Sequence, residues 1–327
     1  MDNKITKKRL GNFLSYEWIL MIIVIVIGII LFDWVYAILE VRPTVGQEFK
    51  VYYDQNFSLT DKEKLKTMIE RNNTLSYDVL KTDYEVLSGA TDVNILNVRL
   101  SVQEGDIIIT DNLEPGEDEF EPKVRSEYII DTESVYTLEN LLADAKTYLG
   151  RFVKDGEDKS DVSYENLDTN KIDSAFLARM KKDNRFRSDA QKEDGKVLER
   201  NRIKKLCADV ADFEKFLNTA PESCFYRYTK YTCLKELRKD TDYGKQYEEY
   251  YQKEIDEGRG NAVYGINLGA LTGGKTEAVE YFKTNGSDNS NNTIMLAFNF
   301  LQYQEELQFE CISFMCTVIR ECSNILG

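Results

Sequence analysis

The chain has 327 residues, 42% of them hydrophobic and 30% charged, enough for one large or two ordinary domains with a sizeable core. It contains no histidine, which excludes serine–histidine and cysteine–histidine nucleophile pairs and any histidine metal ligand. The net charge of −15 argues against nucleic acid as a partner, because that needs a basic surface.

Residues Trp18 to Phe32 form an unbroken apolar run, which resumes after Asp33 as WVYAIL. Together they approach the ~20 residues that cross a bilayer as a helix. Tyr16 and Trp18 at one end, and Trp34 and Tyr36 at the other, fit aromatic belts at both interfaces. A cleaved signal peptide also has a basic leader before an apolar stretch. Here the stretch is long and no small-x-small cleavage site follows, so residues 17–40 read as a retained anchor in the lipid bilayer. Lys4, Lys7, Lys8 and Arg9 precede it and only Arg42 follows closely. By the positive-inside rule, residues 1–16 are a cytoplasmic tail and the C-terminal domain is extracellular. The expected localisation is the cell membrane, single-pass.

Along the remaining chain, EFKVYY (48–53) alternates and reads as a strand. Thr60 and Glu63 make a capping box for a helix with Leu65, Met68 and Ile69 on one face. LSYDVLKTDYEVL (75–87) reads as a second strand or hairpin arm, and about 91–104 as a second helix ending at Gly105. DIIIT (106–110) reads as a buried parallel strand. This β-α-β-α-β order predicts a parallel sheet with helices on its faces.

The acidic linker 111–123 marks a boundary, after which the pattern turns helical. Leu138, Leu141, Leu142, Ala145, Leu149 and Phe152 keep helical spacing, and so do Val197 to Leu217. Residues 154–170 and 181–195 between them read as charged and loosely structured. CFYRYTKYTC (224–233) reads as core packing, with Cys224 and Cys233 the best-placed disulfide pair. Cys311 and Cys322, eleven residues apart on one helix, read as small buried hydrophobes. From 261 the α/β character returns, with strands NAVYGINL and TIMLAFNF, a short helix TEAVEYF and a closing amphipathic helix over about 301–324.

GALTGGKT (269–276) fits the phosphate-binding P-loop pattern letter for letter. Only fifty-one residues follow it, too few for the further βα units and acidic strand that such a fold needs. It therefore reads as a connecting turn.

The strand EFKVYY, the helix ending in RLSVQEGDIIIT and the return segment AVYGINL with TIMLAFNFLQYQEEL resemble the extracellular solute-binding proteins of ABC transporters, in their membrane-tethered form. The resemblance implies an α/β ectodomain of two lobes, with 41–112 and 261–327 forming the α/β lobe and 113–260 a mainly helical one. It implies a non-enzymatic function, holding a sugar, amine or peptide between the lobes, with an ABC permease as partner and no cofactor or metal. Members from single-membrane bacteria usually carry a lipid-modified cysteine after the leader, whereas the first cysteine here is Cys207. If the fold holds, ligands meet the carboxyl ends of the strands. That singles out Asp54 and Gln55 after the first strand, Thr110, Asp111 and Asn112 at the end of the third, and Tyr264 on the returning strand as a stacking face. A surface or envelope protein that keeps the fold without transport is the alternative. An exported hydrolase working through paired carboxylates is third, with no spacing that singles out a pair.

Overall fold

The computed structural model describes residues 11, 18–39, 43, 45–53, 59–86, 98–99, 102, 104–111, 135–227, 262–282, 293–299 and 309–326. Contacts divide the chain into two compact units, 1–42 and 43–327.

The first unit holds helix α1, Trp18–Leu39. It is apolar on every side apart from Asp33, and its side chains from Trp18 to Tyr36 are exposed. A helix of this length and composition can cross a membrane, and a signal sequence has the same character.

The second unit is built on a six-stranded mixed sheet in the order β2-β1-β3-β6-β5-β4. The strands are β1 (Glu48–Tyr53), β2 (Lys81–Val86), β3 (Ile107–Asp111), β4 (Phe225–Arg227), β5 (Val263–Asn267) and β6 (Thr293–Ala297). β1 pairs in parallel with both β2 and β3, as the β-α-β order predicts. β6 then runs antiparallel between β3 and β5. β4 is an edge strand within the tyrosine-rich segment, and Phe225 packs its ring on Phe216 at 5.4 Å.

Directly paired residues share a face. Tyr53, Ile109, Met295 and Ile266 lie on the face that joins the main core, and Tyr52, Ile108, Leu296 and Tyr226 lie on the other. Both sets are buried, so these strands are covered on both faces. That explains why IIIT and TIMLA are continuous apolar runs without polar alternation.

The described helices of this unit are α2 (Leu59–Arg71), α3 (Leu138–Gly150), α4 (Thr169–Arg179), α5 (Asp189–Thr219) and α6 (Glu310–Cys322). α2 begins at Leu59, one residue before its expected cap, and buries Leu65, Met68 and Ile69. Thr137 caps α3 by accepting the Asn140 N–H at 3.2 Å. The expected helix over 91–104 lies almost wholly outside the described residues, with only Val98 and Arg99 described as helical. The linker 111–123 lies outside them beyond Asp111.

Three expectations about secondary structure are corrected. The stretch 181–195 contains the start of α5, whose Ser188 and Gln191 form a capping box. The stretch 154–170 leads through a 3₁₀ turn into α4, which Asp168 caps at Asn170. Both sections are charged because they are solvated on one side, yet they are ordered by caps and by α4–α5 packing. Gly195 on α5 permits that packing, since a β-carbon there would collide with the Phe176 and Phe186 rings. TEAVEYF, expected as a short helix, forms only a single 3₁₀ turn at Ala278–Glu280.

The described helical block does not carry a core of its own. Ile172 of α4, Ile203 and Phe213 of α5, Val51 and Ile109 of the sheet and Phe314 of α6 belong to one continuous hydrophobic cluster.

Candidate functional site

In a strand order 2-1-3 the chain leaves β1 to one side, through α2, and returns to β3 on the other. Such a reversal opens a crevice at the carboxyl ends of the two central strands. Here those ends lie side by side. Tyr53, the last residue of β1, pairs with Ile109, and Thr110 and Asp111 complete β3. Thr110 is 2% exposed and opposite Ile294, and Asp111 is opposite Thr293. Asp54, Gln55 and Asn112 lie outside the described residues. Of the expected residues on β1 and β3, Thr110 and Asp111 are thus placed, just beyond the rung that β3 shares with the last residue of β1.

Tyr264 is placed differently. Asn267, not Tyr264, shares the rung of Thr110 and Ile294, so Tyr264 lies three residues, about 10 Å, toward the opposite edge. It also occupies a bulge, where the partner of β4 steps from Gly265 to Val263, and it is buried.

A second feature is an open depression of about 430 Å³ between α2 and residues 276–281, lined by Glu63, Lys64, Arg71, Thr276, Glu280 and Tyr281 among others. The buried Glu321 carboxylate beneath it accepts Arg71 at 2.7 Å, the Thr276 hydroxyl at 3.2 Å and the Tyr281 hydroxyl at 3.4 Å. Lys64 and Glu280 pair across it at 3.4 Å. Charges of both signs therefore ring a small hollow. Sequence reasoning missed this group, because Arg71 and Glu321 are 250 residues apart and no local pattern links them.

The same contacts fix the role of GALTGGKT. The Thr276 N–H donates to the Glu321 carbonyl at 3.1 Å, and Gly273 bridges to Ser323. Gly274 lies so close to α6 that a β-carbon would overlap the Glu321 carbonyl oxygen and the Cys322 backbone. Lys275 is exposed. No helix opens at Lys275–Thr276, as a phosphate cradle requires; the segment is a turn that clasps the end of α6.

The buried charges elsewhere are committed to one another. Arg179 and Arg185 both donate to Asp78, which also accepts Gln47 at 3.1 Å. Glu199 accepts Arg179 at 2.9 Å, Arg202 at 2.8 and 3.0 Å and the Tyr77 hydroxyl at 2.8 Å. Burial alone would raise the Glu199 carboxyl, but Arg202 and Arg179 outweigh it and hold the group at about 2. Asp106 stands apart: burial pushes its carboxyl up to about 7, against the Lys50 N–H that it accepts at 2.8 Å. Burial likewise raises Glu310, which accepts the Ser76 N–H at 3.1 Å. Each of these carboxyl groups accepts at least one hydrogen bond within the fold, as a structural lock requires.

Among the described residues no three acidic or cysteine side chains are placed to hold a metal ion. Comparison with known protein families, curated proteins and solved structures finds no match.

Proposed function

We propose that the chain is a bitopic membrane protein whose domain of residues 43–327 is an extracellular, non-catalytic binding module for a small polar solute such as a sugar, amine or peptide. The observation that carries this reading is the β2-β1-β3 order. It sets the carboxyl ends of β1 and β3 next to each other, where doubly wound sheets take their ligands. Asp54, Gln55, Asp111 and Asn112 follow from those ends and would supply acceptors and amide groups. The basic leader supports a cytoplasmic N-terminus, and the resemblance to ABC-type solute-binding proteins supports a permease as partner.

In the two-lobed form of this reading, the 113–260 block closes over that edge. A surface protein that keeps the fold without a transported ligand is the second reading. It is favoured by the single core that the sheet shares with α3, α4 and α5, since a hinge needs lobes that pack separately.

Thermal unfolding of residues 43–327 against sugars, amines and short peptides tests the proposal, because a ligand of the native state raises Tm. A hit that is lost in Asp111→Ala and Asp54→Ala and retained in Tyr264→Phe supports the β1/β3 edge. No hit across the panel favours the surface protein.

A further inference from the structure

α1 carries one side chain that is charged at neutral pH, Asp33. The run Trp18–Phe32 has fifteen residues, which span about 22 Å at 1.5 Å per residue, well short of the ~30 Å hydrocarbon core. Covering the core therefore draws in the residues after Asp33, and the helix does continue to Leu39. The carboxylate then lies inside the hydrocarbon, about 9 Å along the axis from the end of the helix.

It has no means of escape to the nearer interface. Helical side chains lean toward the N-terminus, so Asp33 points back into the bilayer, and the side chain is too short to snorkel. Its neighbours on the same face are Val26, Ile29, Ile30 and Tyr36, and the helix supplies it with no cation. An unpaired acid at such depth is unfavourable, and acids found there pair with other charged groups.

We propose that Asp33 is the docking point for a partner transmembrane helix that carries a lysine or arginine at the same depth. Charge complementarity selects this partner over a second copy, because the chain has no basic residue between Arg9 and Arg42 and two copies would bring carboxylates together. The inference rests on residues 18–39 being a retained span, as in the proposed function.

The full chain, reconstituted in phosphatidylcholine vesicles, is mixed with a labelled polyleucine helix bearing one central arginine, or with the all-leucine helix, and energy transfer is measured. The expected result is association with the arginine helix about fivefold or more tighter than with the all-leucine helix, a preference that disappears in Asp33→Asn. Equal association of the two helices overturns the proposal. Asp33-dependent self-association without an arginine preference overturns it in favour of a second copy. Flotation of the vesicles separates the premises: chain absent from the floated fraction overturns the retained span and this proposal together. A floated chain with no arginine preference overturns the proposal alone.

Discussion

Glu199 and Arg202, one turn apart on α5, are both buried and meet through hydrogen bonds of 2.8 and 3.0 Å. The pair does not close on itself. Arg202 goes on to donate to the Tyr148 hydroxyl of α3 at 2.6 Å, and Glu199 accepts Arg179 of α4, so three helices are joined through one turn of α5.

Glu199→Gln is accordingly expected to cost about 3–5 kcal/mol, because it leaves the buried Arg202 without its paired carboxylate and takes from Arg179 one of its two carboxylate partners. Replacing Glu199 with Leu and Arg202 with Met together is expected to cost less than the single change. Urea unfolding of the three proteins measures this. A single variant as stable as the parent would contradict the lock.

The pH dependence of stability follows from two carboxyls shifted in opposite directions. Asp106 is raised to about 7, so the folded state holds a proton that the unfolded chain releases near 4. Its contribution is fully present below about pH 4 and is lost as pH rises through 7, by a few kcal/mol at most. Glu199 is lowered to about 2, so its contribution is present above about 4.5 and is lost as pH falls. Denaturant unfolding between pH 5 and 8 is expected to show falling stability, and Asp106→Asn to flatten that decline. An unchanged slope in the variant would assign the decline to other groups.

Gly274 and Lys275, neighbours in the P-loop-like segment, are expected to differ in their sensitivity to substitution. Gly274→Ala forces its methyl group into the backbone at the end of α6 and is expected to cost about 1–3 kcal/mol. Lys275→Ala, at an exposed position, is expected to stay within about 0.5 kcal/mol. Magnesium-dependent ATP binding lost in Lys275→Ala would restore the phosphate-binding reading.

The expected Cys224–Cys233 bridge is not formed in the structure. Cys224 is a free, buried thiol, 3.8 Å from the Ala270 carbonyl, and Cys233 lies outside the described residues. The 3₁₀ turn at Glu222–Cys224 tucks the side chain against the turn at Leu268–Ala270, away from solvent. Cys207, Cys311, Cys316 and Cys322 are free and buried as well, and burial raises all five thiols, Cys207 and Cys322 to about 12. Iodoacetamide is expected to leave these five unlabelled in the native protein and to label them all after unfolding without reductant. A mass deficit at Cys224 would show a bridge.

Much of the sheet was legible because burial on two faces leaves a local signature: IIIT and TIMLA are apolar without interruption. α2, α3 and α6 were legible from their apolar spacing. The beginning of α5 was not, because its first turns are charged and its Ser188–Gln191 box precedes an acidic, glycine-containing stretch with no apolar stripe. The β1/β3 edge could be inferred from the order of elements, whereas Tyr264 was misplaced because a bulge and an antiparallel register cannot be read from composition. The Glu321 group depends wholly on distant contacts.

The central position of β6 bears on how the chain must fold. Its Ala297 pairs with Ile107, 190 positions earlier (297 − 107), so the sheet cannot be completed until the chain has been made through residue 297. At about 5–20 residues per second of synthesis, β1, β2 and β3 wait many seconds with β3 presenting an open edge. Pairing over such separations is slow, since loop closure precedes any gain from contact. A chain cut before residue 293 would keep that edge bare, and a bare apolar edge is a template for aggregation.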